Sequence, residues 1–212
     1  MRLLLVRHGE TDWNASERIQ GWTDIPLNAA GRRQARLLAE RLREEAVAAV
    51  YSSDLARALE TARYLALERP GGAVPLRVTE TLREIRYGEW EGKTRQELVQ
   101  AGCGPWLEAW VRGHPCPAPR GGETREEVDR RVERFLSAIF PRHEQETVIV
   151  VSHGGPLRLL LARLAGWPVS GWGGVRQANA ALSEVIVEPG RPPVLVRVND
   201  TTHYNPPRPH IR

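Results

Sequence analysis

The chain of 212 residues has little lysine, little cysteine and no long apolar run. Of its thirty basic residues only Lys93 is lysine. The arginines are interleaved with glutamates, as in Gly31 to Glu45 and Glu123 to Arg134. The formal net charge of +4 is therefore spread over mixed-sign faces rather than gathered into a basic stripe, and no nucleic-acid partner is expected. No segment is apolar for long enough to cross a bilayer, so no membrane partner is expected either. The opening residues MRLLLV are too few for a signal-peptide core and run directly into Arg7, His8 and Glu10, so the expected compartment is the cytoplasm. Cys103 and Cys116 lack CxxC spacing and read as incidental thiols, with a disulfide or a metal pair with His114 as the alternatives. Repeats and a second compositional regime are absent, which predicts one domain over 1–204 with Asn205 to Arg212 as an exposed tail.

What is present begins with Leu3-Leu4-Leu5-Val6, a buried-strand run that stops at Arg7-His8-Gly9. Packing does not explain such an ending. Arginine offers a planar fork that matches phosphate, histidine is nucleophilic near neutral pH, and glycine admits a close backbone approach. A solvated strand end is the bland alternative for one such pair. Near the other terminus Thr147-Val148-Ile149-Val150-Val151-Ser152 ends at His153-Gly154-Gly155, and a helical pattern starts at once. Ligands of open α/β sheets bind outside the carboxyl ends of parallel strands, so both imidazoles can enter one crevice.

The remaining periodicity alternates strands with helices. Strands are expected at 1–7, 46–52, 76–78, 147–152, 181–187 and 193–198. Helices are expected from Asn28, as N-cap, to Glu45, from Ser53 or Asp54 through Leu65, from Glu123 to Phe140, and after His153 to Gly166. Gly9 to Pro26 reads as a polar loop, and Arg83 to Gly122 as irregular or weakly helical. This predicts an α/β fold, a single-domain three-layer sandwich with a mostly parallel sheet flanked by helices.

Five blocks carry a resemblance: LVRHGETDWN (Leu5 to Asn14), SSDLARALETA (Ser52 to Ala62), LREIRYGEWEG (Leu82 to Gly92), GGET (Gly121 to Thr124) and VVSHGG (Val150 to Gly155). In content and order they resemble the histidine phosphatase superfamily, the phosphoglycerate mutase-like proteins. The resemblance implies that His8 is a nucleophile forming a phosphohistidine, that Arg7 and Arg57 clamp the phosphate, and that His153 is a second histidine, cationic or donating a hydrogen bond. It also implies Glu84 as proton donor and Asn14, Gln20 and Gly21 around the phosphate. Glu89 and Glu91 compete for the acid role by proximity. The chemistry implied uses no metal and no cofactor, and acts on a small phosphorylated metabolite as a monomer or homodimer. The compact stretch between Glu84 and GGET is similar to the phosphatase branch. A cofactor-dependent phosphoglycerate mutase is the alternative, and a non-catalytic phosphate-binding protein is the alternative of another class. Trp90, Trp106 and Trp110 in that stretch are expected to wall the leaving group and to permit loose substrate choice. Gly88 to Thr94 ends in Gly-Lys-Thr, but its glycines are one residue too close for a P-loop and no strand precedes it.

Overall fold

The computed structural model describes residues 1–112, 114, 116–167 and 175–205. Its strands are β1 (Arg2–Arg7), β2 (Ala49–Ser52), β3 (Leu76–Val78), β4 (Thr147–Ser152), β5 (Leu182–Ile186) and β6 (Val194–Asp200). They form one sheet in the order β3-β2-β4-β1-β5-β6. The first four in sequence are parallel, while β5 and β6 are antiparallel and occupy one edge. The helices are α1 (Asp12–Ala15), α2 (Ala29–Arg41), α3 (Ala56–Leu67), α4 (Arg95–Gln100), α5 (Gly104–Arg112), α6 (Arg125–Ile139) and α7 (Gly154–Ala165). This is the expected single α/β sandwich.

The continuous apolar runs of β1 and β4 are explained by burial on both faces. Leu3, Leu5, Val148 and Val150 join a core with Val128, Val132 and Phe135 of α6 and Leu157 and Leu161 of α7. Leu4, Val6, Ile149 and Val151 face the other way, against Leu38 of α2 and Ala58, Ala62 and Leu65 of α3. Each buried leucine contributes about 1.5–3 kcal/mol, so the central strands are fixed in place from both sides.

Several boundaries differ from expectation for identifiable reasons. Asn28 caps α2 as expected, accepting from Gly31 N at 2.8 Å. That helix stops at Arg41 rather than Glu45 because the Arg69 guanidinium takes the carbonyls of Leu42 and Glu45, while the Glu45 carboxylate pairs with Arg2. Helix α3 starts at Ala56, later than expected. Asp54 is held by Arg83, and Asp24 from the preceding loop accepts from Ala56 N at 2.8 Å instead. Strand β2 begins at Ala49 rather than Ala46. The stretch expected to be irregular or weakly helical contains α4 and α5, the former started by a Thr94–Glu97 capping box. The polar loop after β1 contains α1, started by Thr11 and Asn14. Asn205 is exposed, and the rest of the expected tail, 206–212, lies outside the described residues. Cys103 and Cys116 are free thiols.

The parallel register places Arg7 opposite Ser152. His8 and His153 therefore leave neighbouring strands side by side, and His8 N donates to Ser152 O at 3.0 Å. Strand β2 ends beside them, with Ser52 opposite Val151.

Candidate active site

The imidazoles of His8 and His153 lie with ring centroids 5.0 Å apart, and both residues are buried. His8 Nδ1 is 2.7 Å from Gly9 O. A carbonyl only accepts, so Nδ1 carries the proton and Nε2 keeps its lone pair. Burial, followed by the nearby Arg57 and Arg7, holds the His8 pKa well below its usual range. The ring is thus neutral at pH 7. His153 is shifted the same way by burial, Arg57, His8 and Arg7, and neither ring nitrogen has a partner among the described residues. In the free protein it is a neutral hydrogen-bonding group, in keeping with the second of the two roles expected for it.

Two guanidiniums flank these rings. Arg7 ends β1 and donates to Gln177 O at 2.6 Å. Arg57 is the second residue of α3, fully buried, and donates to Thr23 O at 3.0 Å and Gly21 O at 2.7 Å. Desolvation lowers both pKa values, that of Arg57 to about 10, so both remain charged. Each Nε is buried without a partner among the described residues. Buried cations held only by carbonyls are costly until an anion neutralises them, so the crevice is suited to a phosphate.

Glu84 closes the crevice from the side of α7. Its Oε1 accepts from Ile85 N at 2.9 Å and Gly155 N at 3.1 Å. A Cβ on Gly155 would stand 2.6 Å from that oxygen, which explains the second glycine of VVSHGG. The competing carboxylates are otherwise occupied or distant. Glu91 Oε1 accepts from Trp22 N at 3.1 Å and Tyr87 N at 3.0 Å, and its Oε2 accepts from Thr23 N at 2.9 Å and Thr23 Oγ1 at 2.6 Å. Glu91 is a clamp between two loops, and Glu89 is exposed.

The less specific candidates fall near the site in different capacities. Asn14 Oδ1 accepts from Thr11 N, Thr11 Oγ1 and Asn179 Nδ2, which leaves its amide N–H groups for a ligand. Gln20 is buried and its Oε1 lacks a partner among the described residues. Gly21 takes φ +55°, and its carbonyl accepts from Arg57. A Cβ there would strike Glu91, 2.1 Å away. Trp90 and Trp110 are core residues, and Trp106 packs on that core. The wall expected over the leaving group is packing instead.

Sequence reasoning missed the residues that hold these groups. Asn179 Nδ2 reaches His8 O and Gly9 O, both at 3.2 Å, and Thr61 Oγ1 links Gly9 N to Arg57 O. Arg131, buried on α6, grips Glu123 and the carbonyls of Thr81, Arg83 and Glu84. The signal for Arg131 was available: an arginine at helical spacing among Val128, Val132 and Phe135.

Among the described residues no helix is long and apolar enough to cross a membrane. A profile of the histidine phosphatase superfamily (branch 1) matches residues 3–201. The chain is 38% identical to glucosyl-3-phosphoglycerate phosphatase of Mycolicibacterium vanbaalenii, over 84% of this chain and 81% of that protein. It is 35% identical to phosphoserine phosphatase 1 of Hydrogenobacter thermophilus, over 96% and 94%. The solved mycobacterial glucosyl-3-phosphoglycerate phosphatase bound to VO3 superposes with a TM-score of 0.84 at 32% identity, covering 93% of this chain and 98% of that one. With a family match spanning nearly the whole chain, this protein belongs to the histidine phosphatase superfamily.

Proposed function

We propose that this protein hydrolyses small phosphomonoesters through a phosphohistidine on His8, with Glu84 as proton donor and no metal. The observation that carries the reading is the neutral His8, its Nε2 free, between the buried Arg57 and the half-buried Arg7, guanidiniums that lack a carboxylate partner among the described residues. Phosphoryl transfer needs an in-line nucleophile, positive charge on the non-bridging oxygens and a proton for the leaving oxygen. His8 Nε2 attacks phosphorus and the ester P–O bond breaks. Arg7, Arg57, His153 and the Asn14 amide hold the three non-bridging oxygens. A carboxyl group beside a phosphate dianion takes up a proton, and Glu84 delivers it to the departing alkoxide. The Glu84 carboxylate then accepts a proton from water as the water oxygen attacks phosphorus, the P–N bond breaks, and inorganic phosphate leaves. His8 is regenerated.

The similarity to phosphatases named for glucosyl-3-phosphoglycerate and phosphoserine supports a phosphorylated metabolite as substrate. The test is rapid quench with p-nitrophenyl phosphate in EDTA. The expected result is undiminished turnover and an acid-labile phosphoprotein in the parent that is absent in His8→Ala. Activity abolished by chelator and restored by a divalent ion would overturn the reading. A parallel arm supplies 3-phosphoglycerate with and without 2,3-bisphosphoglycerate, and cofactor-dependent isomerisation exceeding phosphate release would make the protein a mutase.

A further inference from the structure

At the β3 edge of the sheet the chain gathers cations without acids. Arg77 stands opposite Tyr51 of β2, so the two share the face that α6 covers, where Tyr51 and Phe135 meet with ring centroids 5.6 Å apart. Between that edge and α6 lies a pocket of about 350 Å³. It is lined by Arg77, by Arg134 of α6 and by Arg142 of the turn after α6, and its described lining includes no aspartate or glutamate. All three arginines are exposed, and their guanidiniums have no hydrogen bond or ion pair among the described residues. The carboxylates near them in sequence are committed elsewhere. Glu80 pairs with Arg83 at 3.4 Å and Glu133 with Arg163 at 3.3 Å, while Glu146 accepts from His143 Nδ1 at 2.6 Å and Glu144 lines a different pocket beside Met1. The adjoining groove on α6, which Arg134 also borders, shows the chain's usual balance, with Arg86 and Arg130 beside Glu123, Glu127 and Glu133. Thr79 and Thr81 line the pocket too, and their hydroxyl oxygens are 2.8 Å apart. One hydroxyl donates to the other, which leaves the second hydrogen for a ligand.

We infer that this pocket is a second anion site, separate from the strand-end crevice, for a small phosphate-type oxyanion carrying two or more negative charges. Like charges around one concavity repel each other, and a bound anion turns that repulsion into attraction. The guanidiniums stay charged throughout the physiological range, and their planar forks match phosphate oxygens. Three cations balance an anion of the diphosphate class more fully than a monoanion. The pocket's volume lies in the range of small-molecule sites, which favours a free anion over a macromolecular surface. The inference does not depend on the proposed reaction, since His8, Arg7, Arg57, Glu84 and His153 are not among the residues that line the pocket.

The experiment is titration calorimetry of the full chain with methylenediphosphonate, whose P–C–P bridge a phosphomonoesterase does not cleave. The triple variant Arg77→Gln/Arg134→Gln/Arg142→Gln is expected to bind one molecule per chain fewer than the parent, and Arg134→Gln alone to weaken that site about tenfold. A control triple, Arg33→Gln/Arg63→Gln/Arg95→Gln, removes the same charge at exposed positions outside the pocket and should keep the parent's count. Equal counts in the parent and the pocket variant, or an equal loss in the control, would overturn the site. Vanadate inhibition of p-nitrophenyl phosphate turnover should be the same in all three proteins, and its loss in the pocket variant would refute a site separate from the crevice. Should the triple variant fail to fold, the single variants Arg77→Gln and Arg142→Gln decide, and parent-like affinity in both refutes the proposal. Absence of turnover would sink the phosphatase reading, whereas the calorimetric count still reports on the pocket.

Discussion

Replacing Arg131 separates a positioning role from a structural one. Its guanidinium makes five hydrogen bonds: Nε and Nη2 to Glu123 at 3.1 and 3.2 Å, Nη1 to Thr81 O and Arg83 O at 2.9 and 2.5 Å, and Nη2 to Glu84 O at 2.8 Å. The Glu84 carbonyl also accepts from Trp22 Nε1 at 2.8 Å, so Arg131→Ala leaves that carbonyl with one of its two donors. It also leaves the Glu123 carboxylate, which is 16% exposed, without its cation and held by Arg86 N at 2.9 Å. Breaking a buried pair costs about 3–5 kcal/mol. For a chain of this size the melting temperature should fall by about 6–20 °C. The catalytic consequence follows from geometry: a misplacement of about 1 Å costs about 10²-fold, and Glu84 can protonate the leaving group only from its present place. The assay is kcat across phosphomonoesters whose leaving groups range from p-nitrophenol to simple alcohols. Loss of folded protein lowers every rate by one factor and leaves the dependence on leaving-group pKa unchanged. A displaced acid steepens it, with alcohols losing about 10- to 100-fold more than p-nitrophenol. Arg131→Lys keeps a cation beside Glu123 without spanning the three carbonyls, so it should recover part of the melting temperature and none of the slope. An unchanged slope in both variants would refute the positioning argument.

Glu84→Gln should cost about 10²- to 10⁴-fold on an alkyl phosphate and far less on p-nitrophenyl phosphate, and equal losses on the two would remove Glu84 from the acid role. Acid pH should destabilise the fold, because His8 and His153 titrate lower when folded than unfolded. Their stabilising contribution is complete above about pH 6.5 and is lost as pH falls below it, by up to about 1.4 kcal/mol per unit and per histidine. His203, lowered to about 4 by burial, adds to the same loss. Thermal melts from pH 7 to 5 with and without vanadate measure this. The ligand should flatten the decline, and a melting temperature independent of pH would contradict the buried neutral histidines.

The groups proposed to hold phosphate were legible because strand ends expose them in sequence. Arg7-His8-Gly9 and His153-Gly154-Gly155 each interrupt an apolar run where packing gives no reason for a charge. Glu84 was legible only through the motif around it, since Glu89 and Glu91 have the same chemistry. What separates the three is tertiary: Gly155 N reaches Glu84, two loops claim Glu91, and solvent surrounds Glu89. The boundaries that moved have the same origin. Asp54 reads as a helix cap until Arg83 takes it, and Glu45 reads as helix until Arg2 and Arg69 draw the chain away.

Arg57 and Arg131 suggest a more general way to find what motif reading misses. Both are guanidiniums set among core-facing positions of a helix, Arg57 beside Ala58 and Thr61 on α3, Arg131 beside Val132 and Phe135 on α6. An arginine at such a position is costly unless something buried requires it. There are two ways to meet that cost. Arg131 has a carboxylate partner and three carbonyls, so its charge is balanced within the protein and its role is to hold a loop. Arg57 has carbonyls alone and one nitrogen unpartnered among the described residues, so its balance must come from outside. Periodicity identifies both as candidates, but only the partner list separates a brace from a binding group. By that criterion Arg7 falls with Arg57 rather than with Arg131, which is the ground for proposing the crevice between them as the place that receives negative charge.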